Sequence, residues 1–212
     1  MKFDLVIFDC DGVLIDSERL AVRTEAHILH ELGWELSEAD VIERFVGRSS
    51  SYMRREIEAH FGHEIDWAEL FAKPVRAVFD AELVEICGVR ELLESLRVPV
   101  CVASSSTHAS IRRNLTHVDL FKYFDDKIYS AQDVINGKPE PDLFLHAAHE
   151  MGVDPSRCVV IEDSVSGVTG AKAANMFVYG FTGSVTSEDA LRHAGAEVFD
   201  SMTDLVNLLS LP

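Results

Sequence analysis

Short apolar runs alternate with helical patterns through most of the chain. The strand candidates share a run of buried-type residues that ends in polar or small residues: Leu5–Phe8, Pro99–Ala103, Lys127–Tyr129, Cys158–Ile161, Phe177–Phe181 and a weaker Ala196–Phe199. Helical periodicity follows several of these runs: Ala109–Leu115, Asp142–Met151, Ser166–Asn175 and Thr203–Leu209. Apolar runs of this kind are typical of parallel strands buried on both faces. The alternation predicts an α/β fold with a doubly wound, mostly parallel Rossmann-like sheet.

One segment interrupts this alternation directly after the first strand. Residues 17–84 contain no convincing strand, and helical periodicity runs through four stretches: Leu20–Leu32, Ala39–Phe45, Met53–Phe61 and Trp67–Leu83. A further helix, Val89–Leu96, leads back to the second strand. We therefore predict an α/β core of residues 1–16 and 85–212, with a four-helix cap of residues 17–84 inserted after the first strand.

Composition and charge narrow the class of protein. The chain has 212 residues, of which 47% are hydrophobic, so it can bury a substantial core. No apolar run reaches the roughly 18 residues of a membrane span, and the N-terminal apolar stretch is too short for a signal peptide. The formal net charge of −17 disfavours nucleic acid and anionic membranes as partners. We expect a cytoplasmic protein with no obligate protein partner.

Polar groups follow the strand ends at four places, and ligands of open α/β sheets bind outside the carboxyl ends of the strands. In chain order these groups are Asp9-Cys10-Asp11-Gly12, Ser104-Ser105-Ser106-Thr107, Gly137-Lys138-Pro139 and Glu162-Asp163-Ser164. Each group alone has an ordinary explanation as a turn, a helix cap or a solvated charge. Their convergence on one edge of the sheet predicts a functional site.

The chemistry of these groups suits a metal ion and an anion. Carboxylates that share one crevice repel each other unless a cation holds them, and oxygen ligands without imidazole or thiolate select Mg²⁺. Asp9 and Asp163 could share that cation with a phosphate oxygen. The same phosphate could be bound by Ser104, by the amides that follow it at a helix start, and by Lys138.

The four groups resemble the motifs of the haloacid dehalogenase-like hydrolase superfamily, and the resemblance covers the whole chain. The motifs read Asp9-Cys10-Asp11-Gly12-Val13-Leu14-Ile15-Asp16-Ser17, Val102-Ala103-Ser104-Ser105-Ser106, Gly137-Lys138-Pro139-Glu140-Pro141-Asp142 and Ile161-Glu162-Asp163-Ser164. The helical insertion is similar to the alpha-helical cap of this superfamily. The chain thus resembles the beta-phosphoglucomutase-like and sugar-phosphatase branch.

The resemblance implies a Mg²⁺-dependent phosphatase that acts through an aspartyl-phosphate. Asp9 would be the nucleophile, and Asp11 would protonate the leaving oxygen and later deprotonate the attacking water. Both would also contact the metal, Asp11 through its backbone carbonyl. Asp163 would ligate the metal directly, and Glu162 directly or through water. The substrate would be a small phosphorylated metabolite: a sugar phosphate, a phosphogluconate-like acid or phosphoglycolate.

The resemblance also implies binding residues. Ser104, Ser105 and Lys138 would bind the transferring phosphoryl group. In the cap, Arg48 lies in a Gly-Arg turn before a helix and would contact the distal polar group of the substrate. Glu18, just past the first hinge, would contact a hydroxyl or the cap.

Two other functions remain open at this stage. Phosphomutases of this superfamily carry a cap histidine shortly after the first motif, where this chain has Ala21, so hydrolysis is favoured over a sugar-phosphate mutase of the beta-phosphoglucomutase type. A receiver-like phospho-aspartate switch also uses acids, a hydroxyl and a lysine on a doubly wound sheet. It needs neither a leaving-group acid such as Asp11 nor a cap.

Overall fold

The computed structural model describes residues 3–46 and 50–210, and the chain divides into two compact units. One unit comprises the chain up to residue 16 together with the chain from residue 84 onward, and the other comprises residues 17–83. Among the described residues, no helix combines the length and the apolarity that a membrane crossing requires.

The unit of residues 17–83 is helical. Its helices are α1 (Ser17–Glu31), α2 (Glu38–Phe45), α3 (Ser50–Phe61) and α4 (Lys73–Glu82). Ser37 caps α2, since its side chain accepts from the Asp40 N–H while the Asp40 carboxylate accepts from the Ser37 N–H. The buried apolar side chains of these helices pack against each other, with Leu29, Val41 and Ile57 fully buried at the centre. Burial of this stripe stabilises the helices more than their intrinsic propensities do.

The last predicted helix of this unit, Trp67–Leu83, differs in detail from the structure. A π-helical segment, Ala68–Ala72, comes first, and α4 begins only at Lys73. Pro74 lies in the first turn of α4, where its missing N–H costs no hydrogen bond. The sequence pattern could show the apolar stripe but not this change of helical pitch.

The other unit contains a six-stranded sheet in which every pairing is parallel. The strands are β1 (Leu5–Phe8), β2 (Val100–Ser104), β3 (Ile128–Ser130), β4 (Cys158–Glu162), β5 (Phe177–Phe181) and β6 (Glu197–Phe199). Their order is β3-β2-β1-β4-β5-β6. This confirms the predicted α/β, Rossmann-like sheet, and the bounds of the strands differ from the predicted ones by no more than one residue. Because the order reverses at β1, the crevice outside the ends of β1 and β4 is the expected ligand position.

Helices precede or follow the strands β2 to β6 in this unit. They are α5 (Val89–Ser95), α6 (His108–His117), α7 (Asp142–Glu150), α8 (Val165–Ala173), α9 (Glu188–Ala194) and α10 (Met202–Ser210). The sequence reading did not predict α9, although its end signals are present. The Ser187 side chain accepts from the Ala190 N–H, and Gly195 ends the helix with a φ of 104°.

Candidate active site

Asp9 stands at the carboxyl end of β1, beside the end of β4. Phe8 is in register with Ile161, and the Asp9 N–H donates to the Ile161 carbonyl over 2.9 Å. The next residues of the β4 chain are Glu162 and Asp163, so parallel pairing brings three carboxylates to one edge of the sheet. All three residues are buried, with 6%, 0% and 3% of their surface exposed respectively.

Lys138 joins two of these acids. Its Nζ donates to Asp9 Oδ1 over 2.6 Å and to Glu162 Oε1 over 2.7 Å, and its side chain is 3% exposed. The loop reaches this position through a cis peptide bond between Lys138 and Pro139. Burial opposes the charged form of Lys138, but the negative charges of Asp9 and Glu162 outweigh it and raise the pKa of the ammonium group. Lys138 therefore stays charged inside the protein.

One lysine does not balance the acids around it. The pKa of Asp9 is raised to about 7, chiefly by burial and also by the nearby Glu162 and Asp11 carboxylates, although Lys138 lowers it. A second cation beside Asp9 would favour its ionised form, which is the form that a nucleophile or a metal ligand needs.

The Glu162 carboxylate is held on both oxygens. Oε1 accepts from Lys138, while Oε2 accepts from the Ser164 N–H over 2.7 Å and from the Ser164 hydroxyl over 2.8 Å. A Cβ at position 167 would lie 1.6 Å from Glu162 Oε1, so Gly167 leaves the space that this carboxylate fills. The arrangement fixes Glu162 chiefly as the partner of Lys138 and Ser164.

A group of three carboxylates could hold a metal ion. Asp9, Glu162 and Asp163 each offer an oxygen, and these oxygens lie within 4.8 Å of one another. The side chain of Asp11 is not in this group, and the atom of Asp11 that is predicted to contact the metal is its backbone carbonyl oxygen. Oxygen donors without nitrogen or sulfur suit a hard divalent cation such as Mg²⁺.

The surroundings of Asp163 also fit a hydrated ion. Gly12 has a φ of 78°, and a Cβ there would lie 2.0 Å from Asp163 Oδ2 and 2.8 Å from Ser184 Oγ. Among the described residues, the Ser184 hydroxyl is the one buried side-chain polar atom without a hydrogen-bond partner. A buried hydroxyl next to a carboxylate group normally binds water or an ion-bound water.

The turn after β2 brings a hydroxyl to Asp11. Ser104 is buried, and its Oγ accepts from the Ser106 N–H over 3.0 Å. The Ser106 hydroxyl donates to Asp11 Oδ2 over 2.7 Å. Ser105 lies between them with an exposed side chain. The predicted phosphate-binding serines thus lie at the same edge of the sheet as the acids. The hydrogen bond from Ser106 to Asp11 connects the turn after β2 to the first motif.

Comparison with known proteins identifies the family. The family model described as haloacid dehalogenase-like hydrolase matches residues 6–181. The chain belongs to the haloacid dehalogenase-like hydrolases. The family predicted from the four motifs is therefore confirmed.

The relatives of this hydrolase include two curated phosphatases. The chain is 31% identical over 183 residues to the 6-phosphogluconate phosphatase of Escherichia coli, covering 85% of this chain and 83% of that enzyme. It is 34% identical over 218 residues to the phosphorylated carbohydrates phosphatase of Thermotoga maritima, covering 97% and 98%. The predicted sugar-phosphatase branch and the enzyme class, a phosphoric monoester hydrolase, are confirmed.

A solved structure extends the likeness to the whole hydrolase. The HAD family hydrolase of Deinococcus radiodurans, crystallised with bound phosphate and sodium, superposes with a TM-score of 0.85 at 30% identity. The match covers 99% of this chain and 96% of that one. Both units of the chain therefore have counterparts in a solved protein of the family.

Of the two predicted cap residues of the hydrolase, the described part of the chain includes Glu18. Arg48 lies outside the described residues, so its role stays a prediction. Glu18 occupies the first turn of α1 and is half-buried.

Three serines near the acids were not among the predicted site residues. The Ser106 hydroxyl donates a hydrogen bond to Asp11, the Ser164 hydroxyl donates one to Glu162, and Ser184 lies beside Asp163. Ser106 and Ser164 fall inside motifs that were already singled out. Ser184 follows β5, a strand end that the search for polar groups had not included. Applying the strand-end rule to every strand would have found it.

Proposed function

We propose that this hydrolase is a Mg²⁺-dependent phosphatase of a small phosphorylated metabolite and that it acts through an aspartyl-phosphate on Asp9. The observation that carries the proposal is the buried group at the ends of β1 and β4, in which Lys138 lies 2.6 Å from Asp9 and two more carboxylates stand beside it. Such a group is costly to fold without a cationic ligand, which favours a catalytic rather than a structural role.

Asp9 has the features of a nucleophile. Its carboxylate is buried and fixed by Lys138, so it does not need to reorganise before it attacks phosphorus. Lys138 would lie against the phosphoryl oxygens as they develop charge. Ser104 and the amides at the start of the following turn would bind the remaining oxygens.

Asp9, Asp163 and the Asp11 carbonyl would hold the metal, with Glu162 acting directly or through water. Mg²⁺, when bound there, would supply the positive charge that lets a carboxylate approach a phosphate dianion. Glu162 would act mainly by keeping Lys138 in place, because both of its oxygens already accept hydrogen bonds from protein donors.

Asp11 would move the proton. It would protonate the ester oxygen as the alcohol leaves, and it would later accept a proton from the water that attacks the phospho-enzyme. Its half-buried position and its bond to Ser106 are consistent with a group that must reach a reacting atom.

The substrate class rests on the relatives. Their names point to phosphogluconate and to phosphorylated carbohydrates, and we propose a sugar phosphate, a phosphogluconate-like acid or phosphoglycolate for this chain. A sugar-phosphate mutase is the alternative. A mutase would form an isomeric sugar phosphate only when a bisphosphate is present, whereas a phosphatase releases inorganic phosphate without one.

The proposal is tested with a panel of phosphorylated metabolites ranked by kcat/KM in Mg²⁺. Asp9→Asn should abolish phosphate release while the circular dichroism spectrum stays unchanged, because an amide is nearly isosteric but cannot form an acyl phosphate. Asp126→Asn is the matched control, since the Asp126 side chain is 91% exposed. Phosphate release by Asp9→Asn at the wild-type rate, or full activity in excess chelator, would contradict the proposal.

The role proposed for Arg48 has its own test. Arg48→Ala should reduce kcat/KM for the preferred metabolite about ten- to a hundredfold and leave that for a small aryl phosphate nearly unchanged, because a small ester offers no distal group to the guanidinium. Equal losses for both esters would contradict a role in specificity.

A further inference from the structure

Ser106 contacts Asp11, the proposed proton donor. Its hydroxyl donates to Asp11 Oδ2 over 2.7 Å, although the two residues are 95 positions apart in the chain. A serine before a helix usually caps it, but Thr107 caps α6 by accepting from the Ser110 N–H. The Ser106 hydroxyl is therefore not needed to begin the helix and is directed to Asp11 instead.

The backbone of Ser106 is fixed from two strands. Its N–H donates to Ser104 Oγ at the end of β2 over 3.0 Å, and its carbonyl accepts from Ser130 Oγ at the end of β3 over 2.7 Å. Ser130 is fully buried, and its own N–H donates to Asp133 Oδ2 over 2.8 Å. His108 contacts the other oxygen of Asp133 over 2.8 Å. This network leaves the Ser106 side chain few directions to take.

From this geometry we infer that Ser106 is a positioning residue for proton transfer by Asp11. The inference rests on the proposed function. A hydroxyl that donates to Oδ2 disfavours a proton on that oxygen, so the proton that Asp11 carries sits on Oδ1. The same bond limits rotation of the carboxyl group, so Oδ1 keeps one direction through both halves of the reaction.

The two halves balance around that oxygen. In the first, the Asp9 carboxylate forms a bond to phosphorus, the bond from phosphorus to the alcohol oxygen breaks, and the proton on Asp11 Oδ1 passes to that oxygen. In the second, a water oxygen bonds phosphorus, the Asp9–phosphorus bond breaks, and a water proton returns to Asp11. Ser106 keeps its own proton throughout.

The inference predicts an effect that depends on the leaving group. An alkoxide needs a proton as it leaves, whereas p-nitrophenolate is stable enough to leave without one. Ser106→Ala should therefore lower kcat/KM, which reports the reaction only up to departure of the alcohol, about tenfold or more for an alkyl phosphate from the panel and less than about threefold for p-nitrophenyl phosphate. Ser106→Thr keeps the hydroxyl and should recover most of the alkyl-ester rate.

The test compares these variants with Ser95→Ala. Ser95 loses a comparable bond, since its hydroxyl donates to the Leu92 carbonyl over 2.7 Å, and that bond lies outside the site. In an Asp11→Asn background, Ser106→Ala should cause no further loss on the alkyl ester, because both changes remove the same proton transfer. Equal losses of kcat/KM on the two esters, or the same fold-loss with and without Asp11, would overturn the inference. A wild-type enzyme that hydrolyses neither ester would instead overturn the proposed function.

Discussion

Both units of the chain carry exposed ion pairs, but among the described residues a buried ion pair occurs only in the α/β unit. In the α/β unit, Lys138 and the acids it pairs with are buried, with side chains no more than 9% exposed. In the helical unit, ion pairs such as Lys73 with Glu69 lie on the surface, with side chains 72% and 63% exposed. Surface pairs of this kind contribute little to stability, whereas the desolvation cost of a buried pair is offset only by close geometry and further hydrogen bonds, so its presence is better explained by function than by stability. The contrast indicates where chemistry takes place before any substrate is known.

The largest predicted effect comes from breaking the buried group. Lys138→Met leaves Asp9 and Glu162 buried without their cation and should lower the free energy of unfolding of the α/β unit by about 3–5 kcal/mol. Mg²⁺ should restore part of this loss, because the proposed metal site includes Asp9 and its neighbours. Urea unfolding with and without Mg²⁺ measures both effects.

Lys73→Met is the matched control for that experiment. It also removes a lysine from an ion pair, but water solvates the remaining Glu69, so the unfolding midpoint should hardly move and Mg²⁺ should not change the comparison. Similar shifts of the unfolding midpoint in the two variants would show that the buried ion pairs of Lys138 contribute no more to stability than an exposed ion pair does.

A smaller effect separates two glycines with the same kind of backbone. Gly12 has a φ of 78° and Gly33 a φ of 90°, so an alanine at either position is strained by about 1–2 kcal/mol. Only at Gly12 would the new Cβ meet Asp163 Oδ2, 2.0 Å away, whereas nothing lies within 4 Å of the corresponding atom at Gly33.

Gly12→Ala should therefore also weaken metal binding, by about tenfold or more, because Asp163 must move. Gly33→Ala should leave it unchanged. Titration of the melting temperature with Mg²⁺ measures the difference. Unchanged metal affinity in Gly12→Ala would argue against Asp163 as a ligand.

The smallest predicted effect belongs to the helical unit. Burial raises the pKa of Glu25, on α1, to about 7. The folded protein then binds a proton that the unfolded chain releases near pH 4.3, so the stability from protonated Glu25 is present below that pH and is lost as pH rises through about 7.

Glu25→Gln removes this dependence. At pH 8 the free energy of unfolding of the variant should exceed that of the wild type by on the order of 1 kcal/mol, so its urea midpoint should be higher. At pH 5 this difference should shrink. The sign is the test: a variant that is less stable than the wild type at pH 8 would show that the charged Glu25 is stabilised by its surroundings.

The sequence predicted the α/β unit well because its signals are local. Each of the strands is a short apolar run, and the acids stand at the end of β4 or directly after β1 and β4. Parallel pairing then brings Asp9 beside Asp163 without any knowledge of side-chain packing. The helix α9 was missed because its apolar stripe is short, and its cap at Ser187 was the stronger signal.

Other features could not be predicted because they depend on contacts across the fold. The bond from Ser106 to Asp11 requires the turn after β2 to reach the turn after β1, and motif spacing says nothing about which hydroxyl makes that contact. The Glu162 carboxylate can accept hydrogen bonds at both oxygens because Gly167 lacks a Cβ that would occupy its place. The pKa of Glu25 depends on burial that helical periodicity does not resolve.

The central claim is that Asp9 becomes phosphorylated during turnover, and trapping that species tests it most directly. Acid quenching during turnover, borohydride reduction and peptide mass spectrometry convert an aspartyl-phosphate into homoserine at its position. We predict homoserine at position 9 in the wild type when substrate and Mg²⁺ are present, and none in Asp9→Asn or without substrate. Rapid phosphate release with position 9 unmodified, or with the modification at another aspartate, would contradict the account.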